Sequence, residues 1–325
     1  MNLKQLSNLL GYSVSTISKA FSGSTEISET TKNIIIAKSK ELGIYSKYSK
    51  QKFEKKVIAV IIPELEGDYY TKFAVTLNKL INEKNYTMTL SVTNFSSSVE
   101  SDLIRFHSTN GRADGIIVVD ANTKSKKYSS PPIIYINSEN EDDSNADYVN
   151  TNFYPGVLDA IRFFKENGHK KIAFIGESLT KDKYLCYKKA MEQCKLEVDS
   201  SLVCVDKARF EEAGYLGIKK LFDSGNMPTA ILSGYDYIAL GIIHFLEEHS
   251  LKVPDDVSIV GIDDIQFASY HKIALSSIKV NVEHICEICM AILTKKINNP
   301  LYKVCQSVKV KSEFVNRKSV KNLLK

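Results

Sequence analysis

Apolar residues recur at helical spacing in three short segments near the start of the chain. The first segment begins at Asn2, which is followed three residues later by a glutamine as in a capping box, and it stops at Gly11. The second is predicted to be capped by Ser13, and the third to run from a cap at Ser28 to about Leu42. Two helices joined by a tight turn and braced by a third predict a helix-turn-helix headpiece.

The second segment, VSTISKAF, combines an apolar stripe with a polar face that carries no acidic residue. The stripe is predicted to consist of Val14, Ile17, Ala20 and Phe21. Small hydroxyl groups and one long cation on the other face suit close approach to phosphates and to base edges in a major groove. The residues predicted to contact DNA are Ser13, Val14, Ser15, Thr16, Lys19 and Ser28, followed by Lys47 and Lys50 in a basic linker.

From residue 57 onwards, strand and helix patterns alternate. VIAVIIP at 57–63 is a continuous apolar run, as expected for a parallel strand that is buried on both faces. Two successive series of strands and helices predict two doubly wound lobes. The similar openings KKVIAVIIPE and HKKIAFIGE suggest an internal duplication.

Ligands of doubly wound folds bind outside the carboxyl ends of the strands. That rule selects residues that directly follow the predicted strands. These candidates for binding a small effector are Tyr69, Tyr70, Asp120, Asn137, Tyr235, Asp236 and Asp263. Tyrosine rings offer flat apolar faces to a sugar or a base, and carboxylates and amides accept or donate hydrogen bonds to hydroxyls. For Asp236 and Asp264, a structural role at a helix N-terminus is the alternative.

The positive charge is concentrated at the N-terminus. Residues 1–56 contain ten lysines, no arginine and four acids, whereas the rest of the chain has 33 basic and 34 acidic residues. This asymmetry fits a headpiece that binds a polyanion, and it fits a solvated basic linker equally well.

Several classes of protein are disfavoured. The chain has no apolar run of about 20 residues, and its start lacks the features of a signal peptide, so a cytoplasmic location with reduced cysteines is expected. The spacing of His284, Cys286 and Cys289 resembles half of a metal site, but the sequence offers no second cluster of ligands. The preferred interpretation is that the two cysteines are small apolar residues buried on one face of a helix. No Gly-x-Ser-x-Gly elbow, Walker-type loop or HExxH motif occurs, so we expect neither an enzyme nor a cofactor.

The headpiece residues LSNLLGYSVSTISKAFSGSTEISETTKNIIIAKSKELG resemble the DNA-binding domain of the lactose-repressor/galactose-repressor (LacI/GalR) family. The similarity covers Gly11, the serine and threonine run, Lys19 where the family usually has arginine, and the Ser-Glu-Thr-Thr start of the third helix. Five further segments resemble the family's effector-binding domain. They are RADGIIVV, PPIIYIN, FFKENGHKKIAFIGE, MPTAILSGYDYIALGIIHFLEEHSLKVPDDVSIVGIDDI and VKSEFVNRKS.

This resemblance implies an α/β chain with an all-α helix-turn-helix headpiece and a two-lobed, periplasmic-binding-protein-like (type I) body. The headpiece then covers residues 1–45, the basic linker 46–56 and the body 57–325. Matching the family's three crossings places lobe 1 at about 57–151 and 282–309, and lobe 2 at about 153–279 and 312–325.

The linker departs from the family pattern. In the family this region forms a hinge helix whose leucine enters the minor groove. Here it is about three residues shorter, lacks the Pro-Asn start and contains no leucine. One interpretation takes Phe53 as a substitute for that leucine. The preferred interpretation is a flexible basic tether that contacts phosphates.

The resemblance also carries over part of an effector site. The family's aspartate after a late strand is present as Asp263, and its cleft arginine falls on Lys183, which lacks the bidentate fork. The usual Asn-Asp pair is Tyr235-Asp236. The family's aspartate before the helix near residue 155 is replaced by Asn152, and its proline in the segment after the last crossover is replaced by Asn281. A sugar or sugar phosphate between the lobes remains the expected effector.

The function predicted from the sequence is a homodimeric, sequence-specific regulator, most simply a repressor, that binds a double-stranded operator under effector control. One alternative is a DNA-binding regulator whose cleft has lost its effector. Another is a sugar-binding protein with the same body fold, which would need a signal peptide and no basic headpiece. No membrane partner is expected.

Overall fold

The computed structural model describes residues 2–22, 24, 26–48, 55–109, 112–121, 131–138, 146–270 and 272–325. Contacts divide the chain into two units, residues 1–56 and 57–325. In the described part of the chain, no helix has the length and apolar character needed to cross a membrane.

The first unit is a small helical domain. Its helices are α1 (Leu3–Leu10), α2 (Val14–Phe21), α3 (Glu29–Glu41) and α4 (Tyr45–Tyr48). Asn2 and Gln5 form a complete capping box on α1, and Ser13 and Ser28 cap α2 and α3 through their side chains. The buried core of the domain consists of Leu6, Ile17, Ala20, Phe21, Ile35 and Ile44.

The linker is only partly described. Tyr45 and Tyr48 on the short helix α4 pack their rings against Phe21, so helical structure continues past the end of the predicted headpiece. Lys50 and Phe53 lie outside the described residues, and of Lys47 only the backbone is described.

The second unit contains two parallel sheets. The first lobe is built from β1 (Val57–Ile62), α5 (Asp68–Glu83), β2 (Thr87–Val92), α6 (Ser97–Ser108), β3 (Gly115–Val119), β4 (Ile133–Ile136) and β5 (Asp147–Asn152). The second is built from α7 (Tyr154–Glu166), β6 (Ile172–Glu177), α8 (Lys181–Gln193), β7 (Val203–Asp206), α9 (Phe210–Asp223), β8 (Ala230–Ser233), α10 (Asp236–Glu248), β9 (Ser258–Asp263), α11 (Gln266–Tyr270) and β10 (Ser276–Lys279). Helix α12 (Val282–Asn298) and strand β11 (Ser307–Lys311) then complete lobe 1, and β12 (Glu313–Val315) completes lobe 2.

The two sheets repeat one strand order. Lobe 1 has the order β11-β5-β4-β3-β1-β2, and lobe 2 has β12-β10-β9-β8-β6-β7. They differ at one edge, because β11 runs parallel to β5 whereas β12 runs antiparallel to β10. Central strands such as β1, β3 and β6 are buried along their whole length, as parallel strands covered by helices on both faces must be. This architecture confirms the predicted fold class.

The chain passes between the lobes three times, after β5, after β10 and after β11. Ser312, in the last crossing, ties it to the first. Its backbone N–H donates to the Asn152 carbonyl at 3.0 Å, and its hydroxyl donates to the Phe153 carbonyl at 3.0 Å. The same hydroxyl accepts from the Gly156 N–H at 3.2 Å. These bonds hold two of the crossing segments side by side.

The cysteine segment belongs to the core of lobe 1. Cys286 and Cys289 on α12 are fully buried, and burial raises the pKa of both thiols. His284 is exposed on the other side of the helix and contacts Glu287. The imidazole and the two thiols therefore do not converge on one point.

Helices α9 and α10 touch through their backbones. A Cβ atom built at Gly214 would lie 2.0 Å from the carbonyl oxygen of Ile238, and one at Gly241 would lie 1.8 Å from that of Glu211. Both glycines therefore allow a close approach that a side chain would prevent.

We expect Gly241→Ala to destabilise the body by about 1–3 kcal/mol, because the added methyl group forces the two helix backbones apart. The free energy of unfolding from a denaturant titration measures the effect. Lys220→Ala, at an exposed position of α9, is the control and should change it by less than about 0.5 kcal/mol. Equal free energies of unfolding for the two variants would show that the helices can move apart without loss of stability.

Candidate functional site

The headpiece presents the first turn of α2 to solvent. The Ser13 hydroxyl accepts from the Thr16 N–H at 3.0 Å and lies 2.8 Å from the Thr16 hydroxyl. Val14 and Ser15 are exposed beside them, whereas Ile17 is fully buried. The prediction that Val14 belongs to the buried stripe is wrong. Val14 occupies the first helical position, on the open side of the helix, where the residue is 43% exposed.

Lys19 forms an ion pair with a residue outside α2. Its ammonium lies 2.5 Å from a carboxylate oxygen of Glu26, a residue of the loop between α2 and α3. The hydrogen bond from Lys19, and then its charge, lower the pKa of Glu26. Glu26 was missed by the sequence analysis, which considered only the helix. Ser28, also predicted to touch DNA, has its hydroxyl engaged in the cap of α3, where it accepts from the Thr31 N–H at 3.2 Å.

Between the two lobes of the body lies a cavity of about 310 Å³. Its walls are formed by loops and helix starts that follow the carboxyl ends of the strands, as expected for a doubly wound fold. Aromatic rings contribute much of the lining, namely Tyr69, Tyr70, Phe95, Phe153, Phe210, Tyr235 and Tyr237. This combination of aromatic surface and a few polar groups is typical of small-molecule sites.

On the lobe 1 side, hydrogen bonds orient the two adjacent tyrosines. Asn137 donates through Nδ2 to the Tyr69 hydroxyl at 2.7 Å, and Tyr70 donates its hydroxyl proton to Asp120 Oδ2 at 2.5 Å. The Tyr69 and Tyr70 rings meet edge to face with centroids 5.1 Å apart. Burial raises the pKa of Asp120 to about 6, even though the Tyr70 hydrogen bond acts in the opposite direction.

Lys183 projects into the cavity from α8. Its ammonium lies 3.3 Å from Asp263 and within 6 Å of three ring centroids, those of Phe153 at 5.1 Å, Tyr235 at 5.6 Å and Tyr69 at 5.8 Å. Burial alone would lower the pKa of Lys183, but the surrounding carboxylates, Asp263 first, outweigh it and the pKa is raised. Aromatic rings placed around an ammonium group in this way stabilise its charged form.

Arg209 joins the lobes at the other end of the cavity. Its guanidinium donates to both carboxylate oxygens of Glu64 in lobe 1, at 2.6 and 2.8 Å. It also donates to Glu177 in lobe 2 at 3.4 Å. The Tyr235 hydroxyl donates to the same Glu177 oxygen at 3.0 Å and accepts from the Phe210 N–H at 2.9 Å. The hydrogen bonds that Arg209 donates to Glu64 raise the pKa of Arg209.

The backbone is strained where it borders the cavity. Five lining residues other than glycine adopt a left-handed φ, and two of them are bulky phenylalanines. They are Phe95, Asp120, Asn137, Phe210 and Asp263. Non-glycine residues in this region cost free energy, and such residues cluster at functional sites.

Comparison with known proteins identifies the architecture. A family model described as a periplasmic binding protein-like domain matches residues 161–320. Catabolite control protein A of Priestia megaterium is 25% identical over 298 residues, which cover 88% of this chain and 89% of that protein. The HTH-type transcriptional repressor PurR of Haemophilus influenzae (strain PittEE) is 26% identical, with 99% of each chain covered. The solved lac repressor dimer, bound to operator and the anti-inducer ONPF, has the same fold, with a TM-score of 0.72, 16% identity and 99% coverage of both chains.

Over nearly its whole length, the chain is similar to transcriptional regulators of the LacI/GalR family. Seven of the eight residues selected as effector contacts line the cavity between the lobes. They are Tyr69, Tyr70, Asp120, Asn137, Lys183, Tyr235 and Asp263.

Asp236 is the exception, and the structure corrects its assignment. Its side chain is fully buried at the first residue of α10 and does not line the cavity. One carboxylate oxygen accepts from the Ser277 hydroxyl at 2.6 Å, and the other accepts from the Ile265 N–H at 2.8 Å. It therefore ties α10 to β10 and to the segment after β9, which is a structural role different from a helix cap.

The residues that connect the two walls of the cavity were not predicted from the sequence. Glu64 lies two residues after β1, and Glu177 is the last residue of β6, but neither was among the residues selected at the strand ends. Arg209 and Phe210 follow β7, an edge strand to which the rule was not applied. Applying the rule to every strand of the family fold would have found them.

Asp120 provides a test of the cavity's electrostatics. The native state holds its proton more tightly than the unfolded chain does, so this group stabilises the fold below about pH 4 and loses that contribution as the pH rises through about 6. Asp120→Asn keeps an acceptor for Tyr70 and removes the charge. We expect it to be more stable than the wild type at pH 7, by up to about 3 kcal/mol, and equally stable near pH 4.

Denaturant titrations at several pH values measure this difference. Glu247→Gln, an exposed position of α10, is the control for loss of one negative charge. Parallel pH profiles for Asp120→Asn and the wild type would contradict a raised pKa at Asp120.

Proposed function

We propose that this chain is a sequence-specific DNA-binding repressor that acts as a homodimer on a double-stranded operator. The observation that carries the proposal is the exposed first turn of α2, where Val14, Ser15 and Thr16 stand above the buried Ile17 and near Lys19. Hydroxyl, methyl and ammonium groups on one open helix face suit base edges and phosphates in a major groove. The relatives named as repressors support this function. A regulator that acts on DNA would work in the cytoplasm.

We further propose that a small effector in the cavity controls operator affinity, with a sugar or sugar phosphate as the expected class. Carboxylates such as Asp120 and Asp263 can accept hydrogen bonds from hydroxyls, and the rings of Tyr69 and Tyr70 offer apolar faces to a pyranose. Binding between the lobes would change their relative angle and so the spacing of the two headpieces on the operator. The two sites would then be coupled reciprocally.

One observation favours a second candidate, a regulator without an effector. Arg209 and Lys183 already connect the two walls through Glu64 and the Tyr69 ring. Side chains of the protein itself could thus hold the lobes together in place of a ligand.

Lys19→Ala tests the DNA-binding part. If Lys19 reads a base edge, the variant should lose about 10-fold or more in affinity for the specific operator, with a smaller change for random DNA. Lys40→Ala removes one positive charge from α3 and serves as the control. Equal losses of affinity for the operator and for random DNA would show that Lys19 contacts a phosphate and not a base edge. The slope of log affinity against log salt concentration would then decrease by about one.

Footprinting of the full-length protein on DNA that flanks its own gene tests the whole proposal. We expect a protected, near-palindromic site with half-sites about one helical turn apart. A sugar that raises the melting temperature should also change the protection, because the two sites are linked. Protection that no sugar or sugar phosphate alters, together with no thermal shift, would favour the second candidate.

A further inference from the structure

The cavity between the lobes carries an excess of negative charge. Four carboxylates lie in its interior, those of Glu64, Asp120, Glu177 and Asp263, with two cations, those of Lys183 and Arg209. At the exposed rim, three further acids, Glu66, Asp68 and Asp182, stand with one lysine, Lys181. Interior and rim therefore each have two more negative than positive groups. A cleft lined with one sign of charge attracts the opposite sign in a ligand.

Both interior cations are already engaged. Arg209 is shared between Glu64, which it binds through two nitrogens, and Glu177. Lys183 is paired with Asp263 and is also surrounded by aromatic rings. A phosphate or carboxylate on a ligand could form a two-nitrogen pair with Arg209 only by displacing Glu64 or Glu177. That exchange would leave a buried carboxylate without a partner, which costs more than an exposed pair returns.

Asp120 is the interior acid that lacks a cation. Its carboxylate accepts hydrogen bonds from Tyr70 and interacts with Asn137. Within the described residues, it forms no ion pair, and the charge of Lys183 acts on it only from beyond ion-pairing distance. An ammonium group brought by a ligand would compensate this carboxylate.

Aromatic surface surrounds the same carboxylate. The Tyr70 ring, whose hydroxyl binds Asp120, meets the Phe95 ring edge to face with centroids 6.1 Å apart. Faces of aromatic rings attract cations, and they also stack on the apolar face of a sugar ring. The polar and aromatic groups around Asp120 thus fit a ligand that combines a positive charge with a ring.

We propose that the effector is an amine-bearing polyhydroxylated ring, such as an amino sugar, whose ammonium group pairs with Asp120, and that phosphorylated sugars are excluded. This inference rests on the proposed effector function and narrows its chemical class. Lys183 then acts as a resident cation that neutralises Asp263, and Asp120 is left for the cation of the ligand.

The test uses the full-length protein and sets of three matched probes, in which only one substituent of the sugar changes. The sets are glucose, glucosamine and glucose 6-phosphate, and galactose, galactosamine and galactose 6-phosphate. Thermal shift at pH 7 identifies the set that binds, and calorimetry gives the dissociation constants. We expect the amino sugar to bind at least about 10-fold more tightly than its neutral parent, and the phosphate to give no shift.

Two variants assign the preference to one carboxylate. In Asp120→Asn, the ratio of the affinities for the amino sugar and for the neutral sugar should fall below about threefold. In Glu247→Gln, which removes an exposed acid of α10 outside the cavity, the ratio should not change. An unchanged ratio in Asp120→Asn would overturn the assignment to Asp120.

The remaining outcomes separate this inference from the function on which it rests. Stronger binding of the phosphate or of the neutral member would overturn the inference and leave a sugar effector in place. If no probe binds, the inference and effector control fail together, whereas operator footprinting still decides DNA binding.

Discussion

The body of this protein depends on the burial of parallel strands on both faces. Such strands need helices on each side of the sheet, so every strand must be followed by a turn and a crossover. The carboxyl ends of the parallel strands in a lobe therefore lie along one edge. In this chain, the edges of the two lobes face each other, and residues as far apart as Glu64 and Arg209 meet there.

That arrangement explains which parts of the protein the sequence predicts well. Buried runs such as VIAVIIP and caps such as Ser13 depend on local pattern and chemistry, and the structure has them where the pattern predicts them. Most of the effector candidates also line the cavity, because a residue that directly follows a strand lies at the edge of the sheet. Asp236 also follows a strand, but its side chain does not line the cavity, because its carboxylate accepts hydrogen bonds from Ser277 and from the Ile265 N–H. Local sequence contains no information about those distant partners.

The same limit applies to charge. The pairing of Arg209 with Glu64, or of Lys19 with Glu26, depends on which loops the fold brings together. Composition shows only that acids and bases are present. The excess of carboxylates in the cavity becomes visible when the residues of both walls are considered together. Buried acids such as Asp120 reduce the stability of the fold at neutral pH, and proteins commonly retain such groups where they bind a ligand.

The hydrogen bonds of Ser312 join two of the three segments that connect the lobes. Of the residues they involve, Phe153 lines the cavity, whereas Ser312, Asn152 and Gly156 do not. The stiffness of this joint therefore depends in part on residues outside the cavity. A substitution at Ser312 can alter how easily one lobe moves against the other while leaving the lining of the cavity unchanged.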